Sequence, residues 1–250
     1  EEPLHSMPNY YSRRICLHNV LESFYFSTWT RQFPVAWLTS TLQAVDSRLS
    51  ERGKGMALYY LLLSYLVGSI PFAYVFTKLS SGSDIRRIAS QNVGTTNVML
   101  NVGWLPGLLT MIGDVGKGVA VGLLADLCPI RWVRALMPAV AIVGHNWPIW
   151  LKFKGGGGLA TFIGGSLATR NFSGTIIAVL IWGLSFLLIK DHDRSALVAC
   201  IAAPLAFLLL GVSSPSLVFY GTSSVAIGAR RIQSILEKRF SHRRQRQVPV

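Results

Sequence analysis

The sequence predicts an all-α integral membrane protein, a polytopic chain of about seven transmembrane helices with broken or re-entrant segments. Three observations predict it. The 250-residue chain is 51% hydrophobic and only 14% charged, with a mean hydropathy of +0.42, more apolar surface than a water-soluble fold of this length can cover. Apolar runs recur at roughly 56–79, 103–126, 134–151, 159–169, 174–189, 195–212 and 215–229, most of them near the length that crosses a hydrocarbon core and a few short. Glycine or proline interrupts many of them: Gly68 and Pro71, Pro106 and Gly107, Gly116 and Gly118, Pro138, Gly144 and Pro148, Gly164 and Gly165. In a bilayer such breaks persist where neighbouring helices or a cavity satisfy the freed backbone groups, so they mark either a site or kinked packing of small residues.

Ahead of the first run, residues 1–54 mix charged and polar side chains with scattered aromatics such as Tyr10, Tyr11, Trp29 and Trp37. Pro34 can open a helix in which Leu38, Leu42, Val45 and Leu49 form one apolar stripe opposite Gln43, Asp46 and Arg48. That pattern predicts an amphipathic helix lying on the membrane or against a protein partner. No basic stretch followed by an apolar core opens the chain, so a targeting peptide is expected to be removed already or never to have been present. The expected organisation is an N-terminal extension (1–54), a membrane domain (55–232) and a basic C-terminal tail (233–250).

The formal charge of +13 would suggest nucleic acid in a soluble protein. Here the basic residues sit in short connections and near the C-terminus, where Arg230, Arg231, Lys238, Arg239, Arg243, Arg244 and Arg246 follow the last apolar run. Anionic lipid headgroups and phosphate-bearing ligands are the expected partners, and nucleic acid is not. The positive-inside rule puts this end on the cytoplasmic, matrix or stromal side, of a bacterial or an organelle inner membrane. Cys16, Cys128 and Cys200 have no CxxC spacing and no His/Cys cluster has zinc spacing, so neither a disulfide framework, a metal nor a cofactor is expected.

Two connections carry more polar chemistry than a link between membrane helices needs. In the first, residues 81–98, Ser90, Asn92, Thr95, Thr96 and Asn97 supply short hydrogen-bonding side chains, Gly94 allows a tight backbone, and Arg86 and Arg87 add positive charge. That is equipment for holding a phosphate at a helix end. In the second, residues 144–161, four glycines from Gly155 to Gly158 can turn consecutive N–H groups toward an anion, with Lys152 and Lys154 adjacent. A third element is DVGKG, residues 114–118, where Asp114 and Lys117 share a helix face. Ionisable residues in an apolar run are costly and usually paired, so they mark a site or a structural pair holding two half-helices.

At these residues the sequence resembles the acyl-phosphate:glycerol-3-phosphate acyltransferases, the PlsY family. The family pattern is a GSIPxxY-like first helix, DIRxxGSGNxGATNxxR, a DxxKG helix, GHxFPxxxxFKGGKGVAT and a C-terminal RHxxNIxRL-like segment. This chain carries GSIPFAY at 68–74, DIRRIASQNVGTTNVML at 84–100, DVGKG at 114–118 and GHNWPIWLKFKGGGGLAT at 144–161, in the same order and spacing. The resemblance implies a seven-helix membrane enzyme that moves an acyl group from acyl phosphate to glycerol 3-phosphate, making lysophosphatidic acid without a metal or acyl-CoA. It implies Ser90, Asn97 and Lys117 as catalytic residues, and Arg86, Asn92, Gly94, Thr96, His145, Lys154, Gly155, Gly156 and Gly157 as the phosphate-binding set. The other common glycerol-phosphate acyltransferase arrangement, His followed five positions later by Asp, is absent, since those positions are Tyr10, Ser23, Trp150, Leu197 and Gln247.

The chain also departs from the pattern. Leu100 replaces the arginine that ends the first motif, Gly157 replaces the loop lysine, Ser234 stands for the C-terminal asparagine, and the histidine of that segment is missing. Ala89 and Gln91 replace glycines of the GSGN turn, where they disfavour the backbone shapes that glycine allows. Two lost charge-assisted phosphate contacts, each worth on the order of 1.5–3 kcal/mol, predict a roughly hundredfold or greater weakening unless other groups replace them. The departures favour a catalytically impaired relative that serves as a structural or lipid-binding subunit of a membrane complex, contacting partners through residues 1–54. The alternative is a working acyltransferase in phospholipid synthesis whose lost cations are replaced by Arg87, Lys152 or the basic tail.

Overall fold

In the computed structural model, residues 51–170, 172–211 and 214–246 are described. The amphipathic helix expected after Pro34, and any partner surface on residues 1–50, lie outside the described residues. The first apolar run forms two helices, α1 (Glu51–Gly68) and α2 (Phe72–Ser81), because Pro71 cannot donate to the ladder and the chain turns at Ser69–Pro71. α2 stops at Gly82, whose left-handed φ of 68° brings its N–H onto the Lys78 carbonyl. A single 3₁₀ turn (Ile85–Arg87), capped by the Asp84 carboxylate on the Arg86 N–H, leads to the short helix α3 (Thr95–Asn101).

Five longer or apolar helices follow: α4 (Trp104–Asp126), α5 (Arg131–Asn146), α6 (Leu159–Ala168), α7 (Phe172–Ile189) and α8 (His192–Leu209), then the last helix α9 (Ser214–Arg246). A second 3₁₀ turn, Ile149–Leu151, lies between α5 and α6. All elements described are helical, as the fold class requires. Four stretches are long and apolar enough to cross a membrane among the described residues: Gly53–Ser81, Trp104–Asp126, Phe172–Ile189 and His192–Leu209. The chain is an integral membrane protein, but seven crossings are not what length and composition return. The run expected at 159–169 is a helix of 10 residues, the one at 134–151 falls in a helix of 16 residues that ends at Asn146, and the one at 215–229 continues as helix into the basic stretch.

Close backbone approach sets the packing. A Cβ on Gly118 would strike the Thr161 carbonyl and one on Gly164 would strike the Val115 carbonyl, so α4 and α6 cross at van der Waals distance of their main chains. Three apolar clusters fix the rest. Phe162, Phe207, Phe219 and Tyr220 join α6, α8 and α9, with the Phe162 and Phe219 rings stacked at 5.7 Å between centroids. Val121, Ala125, Met137 and Ala141 join α4 to α5. Ala73, Ile85, Val93, Val98 and Leu151 form the third, which ties the first polar connection to the second. Leu180, Leu184, Leu187 and Leu188 of α7 face outward, the apolar exposure a lipid-covered surface requires.

Candidate active site

Beneath the two polar connections lies a buried charge cluster. Asp114 and Lys117, one helical turn apart on α4, pair at 2.9 Å with almost no exposure, as their spacing predicts. Lys117 Nζ also lies 2.7 Å from His145 Nδ1 and donates to the Ile70 carbonyl at 3.1 Å. Three donors thus meet three acceptors. An ammonium only donates, so Nδ1 of His145 accepts and the network assigns the ring proton to Nε2, on the side of Gly156. The Ile70 carbonyl belongs to the break between α1 and α2, so the pair serves the half-helices as well as the cluster.

The first connection is a turn clamped from inside. Asn97, almost fully buried, donates through Nδ2 to the carbonyls of Ile88 (3.1 Å) and Asn92 (3.0 Å), and Asn101 donates back to Asn97 Oδ1 at 3.0 Å. Ser90 sits exposed at the tip between Ala89 and Gln91. Those two residues have φ of 41° and 58°, the left-handed shapes expected of the glycines they replace. Thr96 is exposed, and Gly94 caps α3 in an extended conformation beside the Asn92 side chain. Arg86 is engaged by Asp84, with Nη2 on Oδ2 at 2.6 Å, and reaches the Leu151 carbonyl at 3.4 Å. This hydrogen bond holds the Asp84 carboxyl below the usual carboxylate range and pushes Arg86 up. Arg87 stays exposed, beside Tyr74, Lys78 and Ser83.

The second connection corrects one expectation. The N–H groups of Gly155 and Gly156 do not face an anion, because they donate to the carbonyls of Asn146 (3.1 Å) and His145 (3.2 Å) at the end of α5. Closing the helix that way is what a terminus with unsatisfied carbonyls demands. Gly157 and Gly158 remain as the part of the glycine run that leads into α6, with Gly158 at φ 80°. Gly156 is wedged between His145 Nε2 and the Val93 carbonyl, so the two connections meet at this residue. Lys152 and Lys154 are exposed.

The last helix supplies what the sequence reading missed. Arg230 and Arg231, which follow the last apolar run, are buried rather than solvated; they are 8% and 5% exposed. Arg230 donates to the carbonyls of Gly156 (3.2 Å) and Gly155 (3.0 Å), and Arg231 lies against Gly157. Asp193, at the start of α8, anchors this end: it pairs with Arg231 (3.0 Å) and Lys238 (2.6 Å) and accepts from Ser234 (3.1 Å). The signal available was an acidic residue opening an apolar run in a chain with few carboxylates. Leu100 lies exposed on α3.

The family model for glycerol-3-phosphate acyltransferase matches residues 58–238. A glycerol-3-phosphate acyltransferase of Rubrobacter xylanophilus is 36% identical over 189 residues, 73% of this chain and 94% of that protein. One from Bartonella quintana is 39% identical over 148 residues, 58% of this chain and 70% of its own length. Among solved structures, PlsY (YgiH), an integral membrane glycerol 3-phosphate acyltransferase in its glycerol 3-phosphate form, superposes with a TM-score of 0.62 at 29% identity, covering 74% of this chain and 92% of that one. Its lysophosphatidic acid form gives 0.59 at the same identity.

Proposed function

The chain belongs to the glycerol-3-phosphate acyltransferase family, and from that premise we propose that it is a working enzyme, which moves an acyl group from acyl phosphate to a hydroxyl of glycerol 3-phosphate. The products are lysophosphatidic acid and inorganic phosphate. The observation that carries this reading is the convergence of both polar connections and the buried arginines of α9 on one glycine run. The expectation of a silenced subunit rested on two missing cations. It is set aside, because Arg231 brings a guanidinium group to the loop that lost its lysine, beside Arg230, which falls on the pattern's own arginine, and the curated relatives at this similarity are named as acyltransferases.

The chemistry needs positioning more than a strong base, since phosphate is already a good leaving group. The hydroxyl oxygen bonds to the acyl carbon while that carbon's bond to the phosphate oxygen breaks, and the hydroxyl proton ends on the departing phosphate. Ser90 supplies a hydroxyl at the turn tip, Asn97 keeps that turn in shape, and Lys117 fixes His145 with its Nε2 proton toward the loop. Arg86, Asn92, Gly94, Thr96, Lys154 and Gly157 line the phosphate-handling side, with Gly155 and Gly156 acting through their carbonyl contacts to Arg230. The basic end of α9 faces the cytoplasm, matrix or stroma.

Steady-state kinetics of the purified protein with acyl phosphate and glycerol 3-phosphate test the assignment. Ser90→Ala should lower kcat/KM by on the order of 100-fold while thermal stability is kept. Unchanged kinetics in that variant would remove Ser90 from the site.

A further inference from the structure

Gly157 and Arg231 compete for the same space. A Cβ built on Gly157 falls on the Arg231 guanidinium, touching Nη2 and lying 2.7 Å from Cζ and 2.9 Å from Nη1. The glycine therefore leaves no gap where a lysine is missing; a cation from α9 fills it. In the family pattern the loop lysine falls at Gly157, and the histidine of RHxxNI falls at Arg231, three residues before Ser234. The chain has moved the charge from the loop to the helix.

Two further observations make this guanidinium more than a clamp. Arg231 Nε and Arg230 Nη1 are buried with no hydrogen-bond partner among the described residues. Such donors are costly unless an acceptor arrives. Charge points the same way: among the described residues Arg230, Arg231 and Lys238 gather about two carboxylates, Asp193 and Glu237, and Arg230 lies 3.7 Å from the latter. The contact from Arg231 Nη2 to the Gly157 carbonyl is long, 3.4 Å, and open to displacement by a stronger acceptor. A terminal phosphate dianion is an acceptor of that strength, with several oxygens for a planar fork of donors.

We propose that Arg231 binds the terminal phosphate of a substrate in place of the loop cation, and that Gly157 is required to make room for it. This rests on the acyltransferase reading for the identity of the phosphate, which belongs to glycerol 3-phosphate or to acyl phosphate. Calorimetric binding of glycerol 3-phosphate and of a non-hydrolysable acyl phosphonate to the full chain in detergent separates the two sources. Arg231→Gln and Gly157→Lys should each weaken one probe roughly 10- to 100-fold and leave the other little changed. The double variant Gly157→Lys with Arg231→His should recover most of that loss.

Wild-type affinity for both probes in Arg231→Gln would overturn the proposal. So would a folded double variant that binds no better than Gly157→Lys, or an equal loss of both probes accompanied by a lower Tm, which marks a clamp alone. Should the double variant fail to fold, Arg231→Gln decides by itself. Because the readout is binding, a wild-type protein that binds a probe in an Arg231-dependent way without turnover would refute the acyltransferase reading and leave this one standing.

Discussion

Lys117 Nζ donates to the carbonyl oxygen of Ile70 at 3.1 Å, joining the middle of α4 to the break between α1 and α2. A break in a membrane segment frees backbone carbonyls that no water satisfies, so an internal donor has to reach them. The same ammonium neutralises Asp114, which is 2% exposed. Lys117→Met would strand that carboxylate, since His145 Nδ1, 3.4 Å away, carries no proton in the assigned tautomer, while the Ile70 carbonyl would keep only the Phe72 N–H at 3.2 Å. The expected loss is about 3 kcal/mol, and Asp114→Asn combined with Lys117→Met should regain most of it. Denaturant unfolding in detergent reads both; equal stability of the single variant and wild type would remove the cluster's structural role.

The turn that presents Ser90 carries strain that glycine would release. Ala89 and Gln91 hold φ of 41° and 58°. An L-residue pays about 1–2 kcal/mol there, partly offset by the greater unfolded-state freedom of glycine. Ala89→Gly and Gln91→Gly should therefore each raise stability by roughly 0.5–1 kcal/mol, seen as a higher Tm. A lower Tm would mean that the left-handed conformations are not those of the folded turn.

Acid should loosen the first connection. Its bond to Arg86 holds the folded-state pKa of the Asp84 carboxyl below its unfolded value. The contribution is thus fully present above the ordinary carboxylate range and is lost as pH falls through the depressed folded value. Asp84 and Arg86 are partly exposed, so the effect is small and screened by salt. The Tm difference between wild type and Asp84→Asn should be constant near neutral pH and shrink in acid. A difference that grew in acid would have the wrong sign for this pair.

The parts of the fold legible in the sequence were those written in short-range rules. Gly68 and Pro71 marked the split of the first segment, and the three-residue spacing of Asp114 and Lys117 marked a pair. The turn around Ser90 was legible through the resemblance, whose pattern has glycine where Ala89 and Gln91 stand. What stayed hidden depended on long-range placement. Asp193 lies 38 positions from Arg231, and no local pattern tells that they meet, or that Arg231 fills the space above Gly157. The N–H groups of Gly155 and Gly156 looked available because the carbonyls they satisfy, at His145 and Asn146, become unsatisfied only once α5 is known to end there.

The most direct test of an active site is turnover by the purified protein alone, supplied with acyl phosphate and glycerol 3-phosphate. Lysophosphatidic acid and inorganic phosphate should appear in equal amounts, with no second protein present. A folded, monodisperse preparation that forms neither product would contradict the account.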